Sequence, residues 1–499
     1  MNQLFARKPI SELLAETQQS LKRVMGAGDL IMLAIGAVIG AGIFSSIGTA
    51  AAGEVLPNGQ VVRYGAGPAL ILSFLLLGGV CALAGLCYAE LASMIPQAGS
   101  AYAYSYATLG ELIAWIIGWD LILEYAVGNI AVAIAWSGYF TSLLSGFGVE
   151  FPAWLTHGYR TALLSSNPEV HGLLQTAPRL AGVPVLLNVP AALIVMAITW
   201  LLYIGVREST RANNVMVVVK LLVLGLFVVL GATHIDPANY KPFAPNGWIG
   251  IHQGAAIVFF AYIGFDAIST AAEETRDPQR NMPVGILGGL AICTLIYVIV
   301  GIVATGLVPY QQLKAADPLA RALEVAGLTT ASWIVAFGAV VSLTAVLLVF
   351  QYGQPRIFFA MARDGLLPGW ASKVHPKYRT PHITTVVTGV VVALGSLVAD
   401  ENEIYDLTNI GTLCAFAIVC LGVLVLRYKD PSRERPFRVP LVWPVSLIGA
   451  AACIYVMVGL PTHAWERFGI WLAIGLILYF VYGYRHSRLK VSNGRALPG

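Results

Sequence analysis

The sequence predicts an all-α integral membrane protein with twelve transmembrane helices, arranged as two inverted five-helix repeats plus two further helices. Three observations predict it. Of 499 residues, 57% are apolar and only 11% are charged, where an ordinary soluble domain carries about 25% charged residues. Apolar runs alternate with short polar breaks along the whole chain. The basic residues sort into alternate loops. A membrane crossing needs roughly 20 apolar residues, so the apolar content suffices for a dozen. The 30 Lys+Arg and 26 Asp+Glu do not suffice to coat the several soluble domains that a chain of this length would otherwise form. The composition excludes a soluble enzyme, a disordered chain and a nucleic-acid binder.

Residues 1–24 are polar and carry Arg7, Lys8, Lys22 and Arg23. They read as a cytoplasmic tail, with an amphipathic helix lying on the membrane surface. Apolar segments follow at 27–51, 67–95, 111–143, 188–206, 212–233, 250–274, 283–308, 329–361, 382–399, 404–427, 441–461 and 467–484. They form one domain over 25–485, with repeats at about 25–233 and 250–427 and the two further helices within 441–484. Residues 486–499 read as a second cytoplasmic tail. With the N-terminus inside, 22 of the 30 Lys+Arg fall in inner segments and seven in outer ones, as the positive-inside rule requires. A miscounted segment would blur that contrast. The expected location is the cell membrane, multi-pass, with both termini cytoplasmic. The 144–187 stretch reads as an extracellular cap. All six cysteines lie in apolar runs and read as small packing residues. No Cys/His cluster suggests a metal, and no cofactor motif is present.

Two segments are interrupted. The first, LIMLAIGAVIGAGIFSSIGTAA, crowds Gly36, Gly40 and Gly42 into its middle. The spacing of Gly36 and Gly40 suits close helix packing, while Gly40-Ala41-Gly42 suits local unwinding. The sixth, AAIVFFAYIGFDAISTAAEET, places Gly264 beside Asp266 at mid-depth, where an acid is costly and points to function. Breaks at matching positions of two inverted halves mark a transporter binding site. Unwound backbone there offers amides to a carboxylate without a basic side chain.

The thirtieth basic residue, Lys220, lies inside the fifth segment between three valines and LLVLGLFVVL. It either snorkels to the inner interface or is a buried amine whose proton affinity follows its surroundings. Asp120 and Glu124, four apart in the third segment, share one helix face and are the available carboxylate partners. Glu90 and Glu111 lie nearer the inner end and read as surface carboxylates. Phe260, Tyr262, Phe265, Ser342, Phe350, Thr408 and Asn409 are candidate lining residues, with plain core packing the competing explanation. Arg356, Arg363 and Asp364 read as interface anchors.

Four stretches, AIGAVIGAGIF (34–44), CYAELASMIPQAGSAYAYSYATLGELIAWIIGWDLILEYAVG (87–128), FFAYIGFDAISTAAEETRDPQRNMPVGI (259–286) and GQPRIFFAMARDGLLP (353–368), resemble the cationic amino acid transporter family, within the amino acid–polyamine–organocation superfamily. The resemblance runs from about residue 20 to 485. It implies a LeuT-like fold and secondary active amino acid transport by alternating access. It implies that the substrate carboxylate meets backbone amides at Ile39, Gly40, Ala41, Gly42 and Ile43, and that the amine meets carbonyls at Phe260, Ala261 and Ile263, with Asp266 nearby. It also implies that Lys220, Glu124 and Asp120 couple transport to protons. Bulky Phe350 would shorten the side-chain pocket and favour neutral substrates, whereas an acid in the pocket would favour cationic ones. The expected partners are an amino acid, protons and the bilayer, with a small accessory membrane peptide as a further candidate. An exchanger, or a membrane sensor of amino acids, is the alternative function.

Overall fold

The computed structural model describes residues 4–9, 25–95, 100–205, 210–378 and 380–489. The expected surface helix over 10–24 and the tail beyond 489 lie outside the described residues. Among the described residues, seven helices are long and apolar enough to cross a bilayer: Gly67–Met94, Glu111–Gly146, Asn214–Ala232, Pro278–Leu307, Thr329–Arg363, Glu401–Lys429 and Thr462–His486. Ala27–Val38 and Gly42–Ala52 make an eighth candidate, bent by 46°. Three shorter apolar helices, Val189–Tyr203, His382–Val398 and Val442–Val458, fall on the expected fourth, ninth and eleventh segments. At 15 to 17 residues they are about 23–26 Å long, under the roughly 30 Å of a hydrocarbon core.

Packing pairs the segments by their place in the chain. The second packs on the seventh, the third on the eighth, the fourth on the ninth, and the first touches the sixth at their breaks. Val442–Val458 and Thr462–Leu478 pack against Glu401–Lys429. The outer faces are apolar and uncovered. Val215, Val218, Leu222 and Val229 are exposed along one face of the fifth segment, as are Val391 and Leu394 on the ninth. Such stripes face lipid in a membrane protein.

Several parts depart from the sequence reading. A short antiparallel hairpin, Gly53–Val55 with Val61–Tyr64, follows the first segment. The 144–187 region is a folded cap with helices Tyr159–Leu164 and Pro168–Thr176 and a two-residue hairpin, Arg179–Leu180 with Val183–Pro184. Helices Ser100–Thr108 and Pro318–Val325 lie between apolar segments. These elements are too short to show a period in the sequence, and the 144–187 region has a small core of its own around Ala162, Ala177 and Leu186.

The acids read as surface groups are buried. Glu90 accepts from Arg427 Nε and Nη2 at 2.8 and 2.6 Å and from the Val439 amide at 2.7 Å, with Arg435 Nε at 3.3 Å. Glu111 accepts from the hydroxyls of Tyr106, Tyr479 and Ser487. Residues 4–9 dock along the start of the third segment, through Ala6 O to the Glu111 amide and Tyr106 O to the Lys8 amide. Lys8 Nζ lies 2.9 Å from Asp364 Oδ1, and Tyr102 donates to the same carboxylate. Asp364 is thus a buried pairing partner rather than an interface anchor. Each carboxylate is buried with donors aimed at it, which the sequence places far away along the chain.

Glu90→Ala leaves two guanidinium groups without their shared carboxylate. Breaking such a buried pair costs about 3 kcal/mol. The expected result is a clearly lowered melting temperature of the detergent-solubilised protein, measured beside Arg321→Ala. Arg321 pairs with Glu324 on the exposed surface and should change stability by less than about 0.5 kcal/mol.

Candidate transport site

The first segment stops being helical where the sequence turns to glycine. Its helix ends at Val38, Ile39 is extended, and a five-residue π turn, Gly42–Ser46, leads into Ile47–Ala52. A helix end leaves carbonyls without intrahelical donors, and hydrocarbon supplies none. Here neighbouring segments supply them. Lys220 Nζ donates to Gly36 O at 2.8 Å and to Ile39 O at 2.6 Å. Tyr297 Oη donates toward Val38 O at 2.9 Å, and Ser342 Oγ lies 3.4 Å from Ile39 O. Lys220 is fully buried, so its amine caps the negative end of a half-helix and does not snorkel.

The sixth segment breaks opposite. Helix Gly247–Val258 passes into a 3-10 turn, Phe259–Tyr262, then extended Ile263, Gly264 and a second 3-10 stretch, Asp266–Glu274. Gly264 has φ +110°, a conformation that side-chain-bearing residues rarely adopt. Tyr297 Oη also lies 2.7 Å from Ala261 O, so one hydroxyl touches both breaks. Asn409 Nδ2 donates to Ala256 O and Ile257 O at 2.9 and 3.0 Å. The two breaks are in direct contact, since a Cβ on Gly42 would stand 2.1 Å from Ala261 Cα. Away from the breaks the same two segments are tied again by the Met25 amide to Glu274 O.

The acids do not gather around Lys220. Glu124 sits in a π turn, Leu123–Val127, within the third segment. Its carboxyl lies near that of Asp266, and Thr412 Oγ1 lies 3.3 Å from its Oε2. Asp120 lies one turn earlier beside Cys414, fully buried, with no hydrogen-bond partner for either oxygen among the described residues. Among the described residues neither Glu124 nor Asp120 forms an ion pair with Lys220. The helix-end carbonyls occupy the place that the sequence reading offered to a carboxylate.

Aromatic side chains close the space around the breaks. Phe350 is buried with its ring 5.7 Å from that of Tyr125. Phe260 lies 4.5 Å from Tyr405 by ring centroids. Of the five first-break amides, Ile39 N is bonded to Ile35 O and Ile43 N to Gly40 O. The sequence reading missed Tyr297 altogether. Its one signal was a lone tyrosine in LIYVIVG, where a buried hydroxyl needs a partner.

Gly42→Ala must push the two breaks apart, and overpacking of this kind costs about 1–3 kcal/mol. Gly28→Ala is the control, because nothing lies within 4 Å of its added Cβ. Melting temperature should fall for the first and hold or rise slightly for the second.

A family described as amino acid permease matches residues 27–481. The chain is 45% identical to a methylthioribose transporter of Bacillus subtilis, over 98% of this chain and 100% of that protein. It is 44% identical to a branched-chain amino acid permease of the same organism, over 98% of this chain and 99% of that one. It is 37% identical to the vacuolar cationic amino acid transporter 4 of Arabidopsis thaliana, over 86% of this chain and 68% of the relative. The chain therefore belongs to the amino acid permease family of the amino acid–polyamine–organocation superfamily, and is a membrane transporter rather than an enzyme.

Proposed function

We propose that the chain is a proton-coupled amino acid symporter that works by alternating access around the paired breaks. The observation that carries this reading is the Lys220 amine on Gly36 O and Ile39 O. A protonated lysine has three donors and a full charge against the helix end. A neutral amine keeps two donors and loses the charge, so its hold on the break weakens. Binding of a proton at Lys220 and the geometry of the first break are then linked, each favouring the other.

The substrate carboxylate meets the amides of Gly40, Ala41 and Gly42, since those of Ile39 and Ile43 are already bonded. The amine meets the carbonyls of Phe260, Ala261 and Ile263. Glu124 and Asp266 stand beside that site, and Asp120 extends the acidic side one turn away. Phe350, Tyr125, Phe260 and Tyr405 give the side-chain space an aromatic wall, which suits a neutral, apolar amino acid. The name of the branched-chain permease relative agrees with that substrate class. The pairing of the second, third and fourth segments with the seventh, eighth and ninth supports a LeuT-like inverted repeat of twelve crossings. The distribution of Lys and Arg supports cytoplasmic termini in the cell membrane.

The test is uptake of labelled amino acids into proteoliposomes with and without an inward proton gradient. Wild-type protein should accumulate a neutral amino acid above equilibrium only with the gradient. Lys220→Ala should lose that response while still exchanging substrate across the membrane. Uptake that ignores the gradient, or that strictly requires internal substrate in the wild type, would overturn symport in favour of exchange.

A further inference from the structure

The end of the bundle that carries the 53–64 hairpin is sealed by charge. The hairpin's Arg63 is buried, and its guanidinium is held on three sides. Nη1 and Nη2 meet Asp406 Oδ1 and Oδ2 at 2.9 and 2.6 Å, and Nε meets Glu54 Oε2 at 2.8 Å. Asp406 belongs to the tenth segment and has His463 of the twelfth 3.6 Å away. The hairpin itself rides on the broken segments. The Ala66 amide donates to Ala50 O at 2.8 Å, the Tyr64 amide to Gln253 Oε1 at 2.6 Å, and Asn246 Nδ2 to Gly65 O at 2.8 Å. A second polar link, Ser45 Oγ to Glu401 Oε1 at 2.5 Å, joins the first segment to the start of the tenth-segment helix.

We propose that the Arg63–Asp406 pair is the latch of the gate on this face, with the hairpin as its strap. The proposal rests on the alternating-access reading above. The chemistry suits a closure that must reopen. A buried ion pair is close to break-even against hydration, so water entering from this face repays the separated charges. An apolar seal of equal area would lose its full burial on opening. The fork also fixes register, because a guanidinium meets a carboxylate with two parallel bonds only in one orientation. Opening toward this face therefore means withdrawal of the hairpin, with the outer halves of the first and sixth segments, from Asp406.

The experiment places a reporter cysteine at Thr408, two residues beyond Asp406 and fully buried beneath the latch. A membrane-impermeant maleimide is added outside proteoliposomes, and labelling is corrected for a parent with the native cysteines alone. Arg63→Gln and Asp406→Asn should raise the labelling rate about tenfold, the order of a typical conformational coupling. Arg63→Lys keeps the charge but not the fork, and should give a smaller rise of about threefold. This mild variant keeps the test decisive should the other two fail to fold. Parent-like labelling in a folded variant overturns the latch. Uptake by the parent protein is measured alongside. A parent that transports no amino acid while the variants still label faster would overturn the transport reading and leave the latch standing.

Discussion

Helix Ala27–Val38 ends inside the protein, and the rest of the arrangement follows from how that end is satisfied. A chain that unwinds in hydrocarbon must find donors for each carbonyl it strands. Four segments converge to provide them: Lys220 from the fifth, Tyr297 from the seventh, Ser342 from the eighth, and Asn409 from the tenth for the sixth-segment break. The donors are long or polar side chains in otherwise apolar helices. Their presence there is explained by the break they serve. A basic side chain is used at one position only among these, and it stands against the negative end of a half-helix, where a cation gains most.

The two broken segments behave as one unit in the structure. They are tied at one end through Met25 and Glu274, in the middle by contact between Gly42 and Ala261, and at the other end through Tyr64 and Gln253. Lys220 bears on this unit from the fifth segment, and Glu124 bears on it from the third through Asp266. The groups able to carry protons thus contact the unit at two separate places rather than forming one lysine–carboxylate pair. The unit's neighbours on the eighth and tenth segments are the long helices Thr329–Arg363 and Glu401–Lys429.

Much of this was legible in the sequence, and what escaped has a common cause. The apolar runs, the paired breaks at Gly40-Ala41-Gly42 and Gly264, and the anomaly of Lys220 all declare themselves locally. Composition and spacing fix them. The partners do not. Lys220 was set beside two carboxylates because charges attract charges, and a backbone carbonyl has no letter in the sequence. Glu90, Glu111 and Asp364 look solvent-facing because their donors, Arg427, Tyr479 and Lys8, lie hundreds of residues away along the chain. Arg63 sits in a polar insertion that reads as a loop until the hairpin carries it against Asp406. Tyr297 is a single letter in an apolar run. Pattern reveals where a helix fails, while tertiary contact decides what repairs it.

The central claim is that the charge on Lys220 holds the end of the first half-helix. Amide hydrogen exchange across residues 35–43, followed against pH and corrected for intrinsic rates, tests it most directly. The account predicts that protection falls in wild-type protein as pH rises and Lys220 loses its proton. In Lys220→Ala the same amides should be weakly protected at every pH. Equal pH dependence in both proteins, or full protection in the variant, would contradict it.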